Sequence, residues 1–191
     1  MVISDNPGFI FVHIPKTAGS SITRALRAVG GKKDHALCAK TKHETVESFV
    51  ERVGHHEFTS RHSFTVIRDP LDRFVSHFRF LKTRGFRDVD HLYSLDEYAY
   101  AVESNDPIVC RPARVLPQHK FISLGKDIVV NSVIKYEELK VDTPSIFKEL
   151  GIHLVDLPHR NVSSYPLEPA SRYVREVVLK LYASDYEIFG Y

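Results

Sequence analysis

The sequence predicts an α/β fold, a central parallel sheet flanked by helices. Three observations carry this. Phe9-Ile10-Phe11-Val12-His13-Ile14 is an apolar, β-prone run that stops at Pro15 and passes through a small-residue loop into a helix start. Phe64-Thr65-Val66-Ile67 repeats the plan, running through Arg68-Asp69-Pro70 into a second helix. Around them strand-like and helical stretches alternate, the order that builds parallel sheets. Strands buried on both faces read as unbroken apolar runs, as these two do. Ligands of such sheets sit beyond the carboxyl ends of the strands, where both loops fall.

The elements follow from local signals. Helix one is predicted over about Ser20 to Val29, with a serine cap, the stripe Ile22, Leu26 and Val29, and a stop at Gly30-Gly31. Val46, Phe49, Val50 and Val53 have helical spacing and predict a helix over about Glu44 to Val53, closed by Gly54. Asp69 and Pro70 read as the N-cap and first turn of a long helix with Leu71, Phe74, Val75, Phe78 and Leu81 inward. Ser94-Leu95-Asp96-Glu97 is a capping box. A strand is predicted within Asp127 to Ile134, a helix between Thr143-Pro144 and Leu150-Gly151, and a last helix over about Ser171 to Tyr182.

Composition narrows the functional classes. The 191 residues, 43% hydrophobic, suffice for a sizeable core, and no linker-like stretch divides them, so one domain over residues 1–191 is expected. A net charge of +2 is too small to argue for a nucleic-acid or membrane surface. Nothing resembles a secretory signal, and residues 9–14 are far too few to span a bilayer. Cys38 and Cys110 make no CxxC pair and are expected as unpaired thiols of a reducing compartment. His55, His56 and His62 lack metal-ligand spacing, so no metal is expected. Asn161-Val162-Ser163 matches a glycosylation sequon but reads as chance without a secretory signal.

The loop Lys16-Thr17-Ala18-Gly19-Ser20-Ser21 is not the nucleoside-triphosphate signature GxxxxGK[ST]: its lysine comes first, and no second-strand aspartate stands out for a metal. It reads as a backbone cradle for an oxyanion at a helix N-terminus, outside magnesium-dependent phosphoryl transfer. The second junction carries arginines. Two such junctions imply two anionic groups at fixed separation, as in a nucleotide phosphorylated at both ends.

Pro15 to Ser21 resembles the phosphosulfate-binding loop of the sulfotransferases, specifically the carbohydrate branch that includes the heparan 2-O type and many small bacterial members. Arg68-Asp69-Pro70-Leu71-Asp72-Arg73-Phe74-Val75-Ser76 is similar to the family's 3′-phosphate segment. Lys135-Tyr136-Glu137-Glu138-Leu139, Leu157-Pro158-His159-Arg160-Asn161 and Asp185-Tyr186-Glu187-Ile188-Phe189-Gly190-Tyr191 follow in order, so the resemblance covers nearly the whole chain. It implies a P-loop-like core and 3′-phosphoadenosine 5′-phosphosulfate as donor, with 3′,5′-bisphosphoadenosine as product. The acceptor is implied to be a hydroxyl of a carbohydrate or small metabolite. The family's Golgi members carry a membrane anchor and stem with no counterpart in this short sequence, so a cytoplasmic enzyme with a small acceptor cleft is expected.

The resemblance also implies residue roles. Lys16 reaches the transferring group and the bridging oxygen, while Thr17, Ala18, Gly19, Ser20 and Ser21 bind the 5′ side, chiefly through backbone N–H groups. Arg68 and Ser76 clamp the 3′-phosphate. The acceptor hydroxyl must lose its proton, a task suited to imidazole. Eleven histidines leave that choice open by composition. The family pattern points to His43 in Lys42-His43-Glu44-Thr45-Val46, with His56 second and expected as a solvated loop residue. His13 is expected to pack and shape the loop. Arg73 either reaches the phosphate or pairs with Asp69 or Asp72, the second being favoured. Arg111, Arg114, Gln118, His119 and Lys120 either face the acceptor or are surface polarity, and Arg160 has no assigned role. Two competing readings stand: a nucleoside-triphosphate kinase or hydrolase consuming ATP with magnesium, and a non-catalytic module that only binds the bisphosphate nucleotide.

Overall fold

The computed structural model describes residues 1–29, 42–86, 89–110, 115–152 and 169–191. In chain order the elements are β1 (Val2–Asp5), β2 (Gly8–Val12), α1 (Gly19–Val29), α2 (Val46–Val53), α3 (His55–Thr59), β3 (His62–Ile67), α4 (Pro70–Arg84) and α5 (Leu95–Glu103). There follow α6 (His119–Ile122), β4 (Ser123–Leu124), β5 (Asp127–Ile128), β6 (Ser132–Lys135), a 3₁₀ turn (Tyr136–Glu138), α7 (Leu139–Glu149), α8 (Arg172–Leu181) and α9 (Ala183–Phe189). The chain divides into two compact units, Met1–Arg68 with Gln118–Arg160, and Asp69–Pro117 with Asn161–Tyr191.

The first unit is a mixed α/β layer structure built on a sheet of order β1-β2-β3-β6. β2, β3 and β6 run parallel, with Val12 opposite Thr65 and Ile67 opposite Lys135, and β1 is an antiparallel edge. Alternation sends Phe9, Phe11, Phe64, Val66 and Ile134 to one face, where they meet Ile22 and Leu26 of α1 and Phe147 of α7. Phe64 is the hub, with ring centroids 5.2 Å from Phe11 and 5.9 Å from Phe147. Ile10 and Val12, on the other face, are also fully buried. Burying each such side chain stabilises by about 1.5–3 kcal/mol, which holds the strand ends beneath the loops in register.

Several elements depart from the sequence expectation for physical reasons. α7 begins at Leu139 rather than at Thr143-Pro144 and keeps Pro144 inside. Pro144 is exposed, as is Lys140 one turn back, so the bond that proline removes lies toward solvent. The strand predicted within Asp127 to Ile134 is β6, displaced toward Lys135, while Asp127–Ile128 pairs with Ser123–Leu124 in a separate hairpin. α2 starts at Val46 because the Thr45 hydroxyl accepts from the Ser48 N–H at 3.2 Å. The predicted stop Gly30-Gly31, the Val29 side chain, Cys38, Arg111, Arg114, the 157–161 motif with Arg160, and the sequon at 161–163 lie outside the described residues.

The second unit is helical. Tyr98 of α5 is fully buried, with ring centroids 4.7 Å from Phe74 and 5.2 Å from Phe78 of α4, and its hydroxyl is 2.8 Å from His77 Nδ1. Val174, Val177 and Val178 of α8 join the same core. Ser171 caps α8 by accepting from Val174 N–H at 3.1 Å and donates to Asp96 at 2.7 Å, tying α8 to α5. The predicted capping box at Ser94 and Glu97 forms. Cys110, half-buried here, is in no disulfide, and burial pushes its thiol pKa up. No helix among the described residues is long and apolar enough to cross a membrane.

Candidate active site at the carboxyl edge of the parallel strands

Within the first unit the two predicted junctions leave from neighbouring parallel strands at the same edge. β2 ends at Val12 and continues into 13–18, and β3 ends at Ile67 and continues into Arg68. β6 ends at Lys135 beside β3 and supplies Tyr136. Adjacent strands lie about 4.8 Å apart, so the segments after β2 and β6 leave from either side of the one after β3, their strands about 10 Å apart.

The first bend is built against backbone preference. Lys16 and Ala18 both have left-handed φ, 71° and 65°. For residues with a Cβ such values are uncommon and cost on the order of 1–3 kcal/mol each, a strain that concentrates at ligand sites. The Thr17 hydroxyl, fully buried, donates to the Ile14 carbonyl at 3.0 Å and ties the bend together. The Ala18 carbonyl accepts from Ser21 N–H at 2.8 Å and Ile22 N–H at 3.2 Å, starting α1 directly behind the bend. Ser21 is buried and Ser20 exposed, and the first turn of α1 carries no acidic residue. A bend of this kind followed by a helix N-terminus concentrates backbone N–H groups and positive dipole, which suits an oxyanion.

His13 explains the glycine. A Cβ at Gly19 would lie 1.9 Å from the His13 ring, so only glycine lets α1 begin against that imidazole. The ring is 3% exposed, stacks with Phe11 at 5.8 Å and lies 3.5 Å from the Thr23 hydroxyl. Burial, reinforced by neighbouring His43, Lys42 and the N-terminal amine, holds its pKa well below 6.5, so it stays neutral. This is the packed, loop-shaping role expected of it.

His43 joins the same edge. Its Nδ1 lies 2.9 Å from the His13 carbonyl, and its ring meets the His13 ring edge-on at 4.6 Å. A carbonyl only accepts, so Nδ1 carries the proton and the neutral ring keeps its lone pair on Nε2. The segment is anchored by buried Glu44, which takes two hydrogen bonds from Arg52, 2.8 and 2.7 Å. His56, the other candidate, is exposed on α3, away from any such bracket.

Arg68 is half-buried, its guanidinium carbon 4.4 Å from the centroid of the Tyr136 ring. Gln118 is fully buried, with its amide on the Arg68 backbone, so it is not the surface polarity that was one alternative for it but a structural bracket. His119 and Lys120 lie on α6, half-buried and exposed respectively. Ser76 is a half-buried residue of α4 in the second unit. Arg73 is 4% exposed, donates to the Leu116 carbonyl at 3.0 Å and lies 5.9 Å from the Tyr182 ring. Its role in the helical core is structural, as favoured, and these contacts contribute to it. Asp69 caps α4 by accepting from Asp72 N–H at 2.8 Å, with Pro70 at the first helical position. Among the described residues no group of three or more His, Cys, Asp or Glu side chains is arranged to hold a metal ion.

Sequence reasoning missed Gln118 and Tyr136 as partners of Arg68. Their contacts span 50 and 68 positions, and no local pattern marks them.

The bend before α1 and Arg68 thus lie at the carboxyl edge of the parallel strands, where sheets of this kind bind their ligands. The model of the sulfotransferase family matches residues 1–191, and the chain belongs to that family. Neither the curated proteins nor the solved structures yielded a match.

Proposed function

We propose that this sulfotransferase uses 3′-phosphoadenosine 5′-phosphosulfate as donor, on a P-loop-like core, and that His43 is the general base toward an acceptor hydroxyl of a carbohydrate or small metabolite. The observation that carries the reading is the strained bend at Lys16 and Ala18, opening onto α1 at the edge where Arg68 leaves the next strand. The residues fit the donor's two anionic ends: backbone N–H groups and Lys16 for the 5′ side, and the Arg68 guanidinium for the 3′-phosphate. When bound, the donor supplies an activated sulfuryl group on a phosphate leaving group.

The chain's own residues then divide the work. Lys16 places an ammonium where negative charge grows on the departing phosphate; opposite charges at about 4 Å interact by about 4 kcal/mol near a protein surface. His43 accepts the acceptor's hydroxyl proton at Nε2. Its Nδ1–H bond to the His13 carbonyl then becomes charge-assisted and stabilises the imidazolium. Because His13 stays neutral, it adds no like charge against that imidazolium. Ser76 keeps the role the resemblance gives it, a hydroxyl donor to the 3′-phosphate, tested separately by Ser76→Ala.

A sulfur-labelled donor incubated with pooled hydroxyl acceptors tests the reading. Label transfer is expected, together with a loss of about 10²- to 10⁴-fold in kcat for His43→Ala while 3′,5′-bisphosphoadenosine binds nearly as before. Magnesium-dependent ATP consumption without label transfer would favour a kinase or hydrolase. Nucleotide binding with no transfer to any acceptor would favour a non-catalytic module.

A further inference from the structure

We propose that Gln118 is a positioning residue for Arg68 and thereby sets the protein's preference for a nucleotide bearing a 3′-phosphate. The inference rests on the reading of Arg68 as the 3′-phosphate's partner. Arg68 lies one residue beyond the last ladder pair of the sheet, Ile67 with Lys135. The Gln118 side chain continues the ladder there. Its Oε1 accepts from the Arg68 N–H at 2.9 Å, and its Nε2 donates to the Arg68 carbonyl at 2.8 Å. Two bonds exchanged with one residue reproduce the pairing that a strand residue makes in an antiparallel sheet.

Gln118 is itself fully buried, so each of these bonds runs in a water-poor setting where losing one is costly. With the backbone fixed by Gln118 and the guanidinium laid on Tyr136, Arg68 is held at both ends. A planar fork reads a phosphate in bidentate fashion only when its position is fixed to a fraction of an ångström, so precision at the Arg68 Cα becomes selectivity at the phosphate. Gln118 touches no reacting atom in this account and acts through Arg68 alone.

The test titrates two probes, 3′,5′-bisphosphoadenosine and adenosine 5′-phosphate, into wild type and Gln118→Met. Wild type is expected to favour the bisphosphate. Gln118→Met, close in volume but without the amide, is expected to lose about tenfold or more toward the bisphosphate while adenosine 5′-phosphate binding changes less than about twofold. In turnover the donor KM rises and kcat holds. Gln118→Glu, which keeps the acceptor and loses the donor, should show the same selective loss and covers the case in which the methionine variant does not fold. Equal losses for both probes, or none, in a folded variant would overturn the inference while leaving the donor assignment standing. A wild type indifferent to the 3′-phosphate would overturn the donor assignment and this inference with it. Amide exchange at Arg68 without nucleotide is a separate check: slow in wild type and faster in Gln118→Met, with unchanged exchange counting against the bracket.

Discussion

The two strand-to-helix junctions share a plan and differ in how they treat their helix N-termini. At the first, Lys16 and Ala18 take left-handed backbone, the Thr17 hydroxyl is committed to the Ile14 carbonyl, and α1 opens without an acidic residue in its first turn. At the second, the Asp69 carboxylate caps α4 and Pro70 fills the first helical position. A helix that carries its own carboxylate cap has less to offer a bound anion, so in the proposed reading attraction at the second junction falls to the Arg68 side chain. On that reading the first junction would act through backbone and dipole, and the second through a held guanidinium. The same strand–loop–helix sequence plan therefore leads to two differently capped helix N-termini.

The largest effect expected from breaking this contrast is at Gly19. Gly19→Ala drives a Cβ into the His13 ring and should abolish transfer while lowering stability by about 1–3 kcal/mol or more, read by thermal melting. Normal activity in that variant would mean that the bend is not needed. Next come the two cations, which should fail differently. Lys16→Ala is expected to lower kcat about 10²- to 10³-fold with modest loss of product affinity. Arg68→Ala is expected to weaken 3′,5′-bisphosphoadenosine binding about 10- to 100-fold, with less effect on kcat. Identical profiles for both would erase the division of labour.

A pH effect of intermediate size follows from His13. Its folded pKa lies below 6.5, so as pH falls through that value the unfolded chain takes up a proton that the folded one refuses, and stability drops. Denaturant midpoints should fall from about pH 7.5 to about pH 5.5, with a shallower slope in His13→Phe. Equal slopes would place the titration elsewhere. The smallest effect is at Asp69. Loss of the α4 cap in Asp69→Ala should cost about 1 kcal/mol, or about 2–4 °C in Tm, with bisphosphate affinity unchanged.

What was legible in the sequence tracks how local the deciding interactions are. Phe9 to Val12 and Phe64 to Ile67 are continuous apolar runs, and the caps at Asp69 and Ser94 lie within a few residues of what they cap. The edge strand Val2–Asp5, the hairpin of Ser123–Leu124 with Asp127–Ile128, and the short α3, α6 and α9 escaped, because two to seven residues are too few to display a period. At the site, the lysine-first loop marked where the bend at Lys16 and Ala18 passes into α1. The reason for Gly19 was hidden in a histidine six residues earlier whose ring occupies the space where a Cβ would stand. His43 emerged through family resemblance alone, since its tie to the His13 carbonyl closes over 30 positions.

The most direct test of the central claim is a pair of calorimetric titrations on the wild-type protein, one with 3′,5′-bisphosphoadenosine and one with ATP and magnesium. Saturable binding of the bisphosphate is expected, abolished when Lys16 and Arg68 are replaced together, with weaker binding of ATP. Tight binding of magnesium-ATP with no heat from the bisphosphate would contradict that claim.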